Sequence, residues 1–125
     1  MIFIDYKDRR PIYEQIVERF QELILKGVLE SDSQLPSVRN LAMELSINPN
    51  TIQRAYMELE REGYIYSVKG KGNFIATNDS LVKDRKKEIF DSIINLVKEA
   101  KDFGITKEDF INKAVEGFER GNKDD

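Results

Sequence analysis

The chain has 125 residues and a formal net charge of −3; 40% of it is hydrophobic, 34% is charged, and it holds neither cysteine nor histidine. That size supports one modest core, or a small domain with an appendage, and not a large enzyme cleft as well. Disulfides, thiolate metal sites, the commonest general base and the commonest metal ligand are all excluded, so no enzyme, cofactor or metal is expected, and the composition fits a reducing cytoplasm.

In chain order, Pro11 to Lys26 carries Tyr13, Ile16, Val17, Phe20, Leu23 and Ile24 at helical spacing. This predicts a core helix, with Pro11 in its first turn and Gly27 as its stop. A polar loop through Ser31, Asp32, Ser33 and Gln34 leads to Leu35-Pro36. Ser37 can cap a short helix that turns Val38, Leu41, Ala42 and Leu45 inward. Ser46-Ile47 reads as a tight turn. Asn48 as N-cap and Pro49 at the first helical position then open a helix over 49–63. Two β-rich runs, Tyr64–Val68 and Asn73–Ala76, flank Lys69-Gly70-Lys71-Gly72 and predict a hairpin over 64–76.

Asn78-Asp79-Ser80 reads as a polar break, which divides the chain into 1–78 and 79–125. Beyond it, Ile89, Ile93, Val97 and Ala100 form one helical stripe, and Gly104 ends that helix. Thr106, with Asp109 three residues on, opens a second amphipathic helix carrying Phe110, Ala114 and Phe118. No stretch is long and apolar enough to span a membrane. The expected fold is mainly α with a small β-hairpin: an N-terminal winged helix-turn-helix followed by a two-helix C-terminal tail.

The charge distribution is uneven. Between Leu45 and Met57 the only charged residue is Arg54, and between Gly63 and Asn78 only Lys69 and Lys71 are charged. On a helical wheel Ile52, Ala55, Tyr56 and Leu59 share one face, leaving Asn50, Gln53, Arg54 and Met57 opposite, with Thr51 at the edge. Asn, Gln, Thr and Arg can hydrogen-bond base edges or phosphates, and a helix N-terminus favours an anion. Acids return at Glu58, Glu60 and Glu62, on the half that would swing away from a duplex. The alternative for each of these residues is an ordinary solvated face. Arg39 faces the same choice between phosphate anchoring and a surface ion pair, and Glu44 is poorly spaced to pair with it. Lys69 and Lys71 at a glycine-bearing tip could contact phosphate or simply be solvated.

The stretches "PIYEQI", "LPSVRNLA", "NPNTIQRAYMELEREGYI" and "KGKGNFI", in this order over about residues 10–76, resemble the DNA-binding domain of the GntR family of bacterial transcription regulators. The short two-helix tail is similar to the YtrA-type subfamily. The resemblance implies a homodimer, usually a repressor, on a palindromic operator of double-stranded DNA, often at transporter operons. It also implies DNA contacts from Ser37 and Arg39 of the "LPS-x-R" motif, from Asn48, Asn50, Thr51, Gln53 and Arg54, and from Lys69, Gly70 and Lys71 of the wing. Ser31-Asp32 stands where the family often has Pro-Gly; Asp tolerates left-handed backbone, so the turn is expected to survive. Asn40 replaces a common acid and should weaken the cap.

The tail's apolar residues Ile89, Ile93, Val97, Ala100, Phe110, Ala114 and Phe118 are too many for a two-helix hairpin to cover, so they are expected to form the dimer interface. The tail is too short for the larger effector-binding domains of other members, and no effector is assigned. The rival reading is a winged-helix module that binds proteins without specific DNA recognition.

Overall fold

The computed structural model describes the backbone of residues 2–124 and the side chains of residues 2–121. Helices α1 (Ile12–Leu25), α2 (Val38–Leu45) and α3 (Pro49–Arg61) precede strands β1 (Ile65–Val68) and β2 (Gly72–Ile75); α4 (Asp79–Asp102) and α5 (Lys107–Asp124) follow. The chain forms two compact units, residues 1–83 and 84–125.

The first unit is built on the periodicities read above. Ile16, Phe20 and Ile24 of α1, Leu41 and Ala42 of α2, and Ile52, Ala55, Tyr56 and Leu59 of α3 converge in one buried core, closed by Ile65 and Ile75 of the hairpin. Tyr56 lies edge-on to Phe20, with ring centroids 5.9 Å apart. Its hydroxyl donates to the Pro36 carbonyl at 2.7 Å, so α3 fixes the segment leading into α2. Burial pushes the Tyr56 phenol well above its ordinary pKa. The N-terminal segment is docked by a buried polar group: Gln15 Oε1 accepts from Asp5 N at 3.0 Å, and Gln15 Nε2 donates to Asp5 O at 3.2 Å. Among the described residues no buried side-chain polar atom lacks a partner.

Both expected caps form. Asn40 N donates to Ser37 Oγ at 3.1 Å, and Asn50 N donates to Asn48 Oδ1 at 2.9 Å. Ser46 turns the chain between α2 and α3 at φ 55°, in the left-handed region, and Ile47 N donates to Ala42 O at 2.9 Å.

The hairpin forms as two antiparallel strands. β1 and β2 pair antiparallel, with Ile65 opposite Ile75 and Val68 opposite Gly72. The loop before α2 lies against β2 through a single isolated bridge, Gln34 opposite Phe74, while the sheet itself stays two-stranded. Asp32 N donates to Ile75 O at 2.7 Å, Ile75 N to Ser33 O at 2.9 Å, and Leu35 N to Asn73 O at 2.9 Å. Asp32 has the left-handed φ of 66° that the missing Pro-Gly would have served, and its Oδ1 accepts from Tyr66 OH at 2.8 Å.

Asn78-Asp79-Ser80 is the start of α4, not an irregular break. Asn78 Nδ2 donates to Ile24 O at 3.0 Å, and Val82 N closes the first α4 turn on Asn78 O at 2.9 Å.

In the second unit Thr106 Oγ1 accepts from Asp109 N at 3.1 Å and caps α5. Contact between α4 and α5 is sparse, and Ala100 is the only described residue of this unit that is fully buried.

Candidate nucleic-acid interface

The front of α3 is set by the packing of its back. With Ile52, Ala55, Tyr56 and Leu59 buried, Asn50, Gln53, Arg54 and Met57 are turned to the surface, and Thr51 is half-buried at the edge. No acid stands in the first turn. Ser37 and Asn48 are exposed, but each spends a side-chain oxygen on its cap. Arg39 is exposed near the start of α2. Lys69, Gly70 and Lys71 are exposed at the hairpin turn, which Lys71 N closes on Val68 O at 2.9 Å.

Ion pairing separates these cations from most of the chain's arginines. Arg10, Arg19, Arg61, Arg85 and Arg120 each sit on a carboxylate. Among the described residues Arg39, Arg54, Lys69 and Lys71 form no salt bridge, and neither does Arg9, which the sequence reading did not single out. Arg54 instead lies over the Tyr13 ring, 3.8 Å from its centroid. The acid one turn behind it, Glu58, is engaged by Arg61 through both oxygens, which holds the Glu58 carboxyl below the usual carboxylate range. Arg54 also contributes to holding the Glu58 carboxyl low, through space and without a salt bridge, so it is held by the Tyr13 ring with its guanidinium hydrogen-bonding edge open.

Behind this front the surface changes sign. Glu14, Glu18, Glu58 and Glu62 line a shallow groove between α1 and α3, with Arg10 and Gln21. Asn50, Gln53, Arg54 and Met57 line a separate depression that ends at Glu58 and Arg61. One helix thus presents a cationic, hydrogen-bonding first half and an acidic second half. A polyanion is attracted to the first and repelled by the second.

Two contributors were not legible in advance. Tyr13, in the first turn of α1, was grouped with the core stripe and does pack partly against the core, yet its ring also supports Arg54, 41 positions away, which no local pattern signals. Gln34, in the loop before α2, reaches the hairpin turn. Among the described residues no group of three or more His, Cys, Asp or Glu could hold a metal ion, and no helix is long and apolar enough to cross a membrane.

In the tail, Ile89 and Ile93 are exposed and Phe118 is 80% exposed; Ala114 is exposed, and Val97 and Phe110 are half-buried. Ala100, at 7%, is already covered within its own unit.

Residues 12–75 match the family described as bacterial regulatory proteins, gntR family. The chain is 38% identical to the HTH-type transcriptional repressor YtrA of Bacillus subtilis (strain 168), over the whole of both chains. A transcriptional regulator from Oenococcus oeni superposes with a TM-score of 0.76 at 32% identity, covering 94% of this chain and 98% of that one. The AraR DNA-binding domain, solved in complex with operator ORE1, matches with a TM-score of 0.52 at 28% identity over 61% of this chain and 93% of that one. A full-length match to YtrA, joined to a winged helix-turn-helix whose α3 opens on an acid-free, polar front, places the chain in the GntR family of DNA-binding bacterial regulators, in its YtrA-type branch.

Proposed function

We propose that this chain is a homodimeric repressor that reads a palindromic operator in the cytoplasm. The front of α3 enters the major groove, the wing tip touches flanking phosphates, and the 79–125 tail joins the two copies. The observation that carries the DNA contacts is the acid-free first turn of α3, whose exposed Asn50, Gln53 and Arg54 stand with Arg39, Lys69 and Lys71 outside any salt bridge in a chain whose net charge is −3. In this reading Gln53 and Arg54 read base edges, Arg39 and Lys71 hold phosphates, and Ser37, Asn48, Asn50, Thr51, Lys69 and Gly70 complete the surface.

The dimer reading rests on the tail. Ile89, Phe90, Ile93, Ile94, Leu96, Phe103, Ile111, Val115 and Phe118 are exposed in a unit of two sparsely touching helices. A soluble monomer rarely leaves so much contiguous apolar surface in water. A second copy supplies matching stripes at once, through a two-fold interface. Dimerisation would also present two α3 helices to half-sites about one helical turn, roughly 10 bp, apart.

Repression is inferred from the YtrA relative, a transcriptional repressor; control of a transporter operon belongs to the same proposal, as the YtrA-type resemblance implies. The test is selection of bound duplexes from a random DNA pool, with sedimentation of the free protein. Enrichment of a two-fold symmetric sequence by a dimer supports the proposal. A monomer at high micromolar concentration, or a pool that stays random, refutes it; the latter outcome would favour a protein-binding role.

A further inference from the structure

We infer that Gln34 is a positioning residue for DNA recognition: it latches the wing turn in its DNA-ready shape before DNA arrives. The inference rests on the reading that the wing tip contacts DNA.

Gln34 lies in the loop before α2, in an isolated bridge opposite Phe74 of β2. Its Nε2 donates to the Lys71 carbonyl at 2.7 Å, across 37 residues of sequence. Lys71 is one of the two cations of the wing tip, and its N–H closes the turn on Val68 O. Both backbone polar groups of Lys71 are therefore tied, one within the hairpin and one to a different segment.

The space for this contact is supplied by Gly72. A Cβ built there would lie 2.8 Å from Gln34 Nε2, closer than real Cβ atoms approach a neighbour, and Gly72 takes a φ of 120° that side-chain-bearing residues avoid. Gln34 and Gly72 thus fit one another. The side chain fills the room the glycine leaves and takes up the Lys71 carbonyl.

A two-stranded ribbon on its own is marginally stable. The backbone of 32–35 anchors the β2 side of this one, through Ile75 and Asn73. Gln34 extends that support to the turn where Lys69 and Lys71 sit, on the side opposite the Ser67–Glu60 bond of β1. Ordering Lys71 in advance lowers the entropy cost of docking it on a phosphate.

The experiment compares wild type, Gln34→Met, Lys69→Ala/Lys71→Ala and the triple variant. Methionine keeps length and neutrality but cannot donate. Fluorescence anisotropy measures affinity for a duplex selected from a random pool, and amide relaxation of residues 69–72 is recorded without DNA. Loss of one such hydrogen bond should weaken binding by about three- to tenfold. The same substitution should raise fast motion at 69–72 in the free protein, lower the melting temperature of the 1–83 unit by no more than about 8 °C, and cost nothing more in the triple variant. Unchanged relaxation and affinity in Gln34→Met overturns the latch, as does a loss that adds fully to that of the lysine pair. If Lys69→Ala/Lys71→Ala itself binds like wild type, the wing reading falls and the latch has no function to serve, whereas a lysine effect without a Gln34 effect overturns the latch alone.

Discussion

Replacing Arg54 separates recognition from folding more cleanly than any other change at this surface. In the folded protein the guanidinium rests on the Tyr13 ring and on no carboxylate, so its removal strands no buried charge. An exposed cation–π contact is worth about 0.5–1 kcal/mol, and alanine regains a little through its helix propensity. Arg54→Ala should therefore change folding stability by less than about 1 kcal/mol, a few degrees in melting temperature for a domain this size. Binding should respond far more. A bidentate arginine–base contact discriminates by about 1–3 kcal/mol. In a dimer the loss occurs at both half-sites, about 2–6 kcal/mol in all. Arg54→Lys keeps the charge but not the fork, so it should retain non-specific affinity while losing preference for the selected sequence. Anisotropy titrations against a selected and a scrambled duplex at one salt concentration give the ratio directly. Arg54→Ala with wild-type affinity and selectivity would refute the assignment. So would a loss of several kcal/mol in folding stability, which would make Arg54 a structural residue.

The other expectations are independent of that one. Lys71→Ala should weaken all duplexes alike and flatten the slope of log K against log salt by about 2, one phosphate contact per half-site at about 0.9 each; a slope equal to wild type would remove Lys71 from the phosphates. Ser46→Gly should raise stability by about 0.5–1 kcal/mol in thermal melts, because Ser46 sits at a φ of 55° that glycine adopts without strain; an unchanged or lower melting temperature would count against that strain. Tyr56→Phe should cost about 1 kcal/mol through the lost bond to the Pro36 carbonyl. Because the folded-state phenol titrates above its unfolded value, its contribution is complete below about pH 10 and fades as pH rises from there, and Tyr56→Phe should blunt that alkaline decline in urea melts. Ile93→Asp should convert a sedimenting dimer to monomer without changing the melting of the 1–83 unit; an intact dimer would place the interface elsewhere.

The parts of the fold that the sequence announced are those where side-chain chemistry repeats. Ile16, Phe20 and Ile24, or Ile52, Tyr56 and Leu59, mark their helices by spacing alone. Ser37 and Asn48 mark helix starts because a cap needs an oxygen at one defined place. The docking of the 32–35 loop on β2 was hidden because its bonds run through the backbone of Asp32, Ser33 and Leu35, and Leu35 is the only apolar residue there. Asp32 was legible as a turn residue, but its link to Tyr66 joins positions 34 residues apart, which no local pattern encodes. Tyr13 illustrates a different gap: helical spacing puts a residue on a face but not at its edge, where a ring can serve both core and arginine. Ala100 is the tail's counterpart. Its stripe position suggested an interface, yet a small side chain near the α4–α5 turn is covered locally, while the larger residues around it stay open.

The most direct test is a titration of the isotope-labelled protein with a selected duplex, following each backbone amide by NMR. Shifts concentrated at residues 37–39, 48–54 and 69–71, with Glu14, Glu18 and Glu62 unmoved, are the expected result. Shifts centred on that acidic groove, or none at the front of α3, would contradict the proposed orientation on DNA.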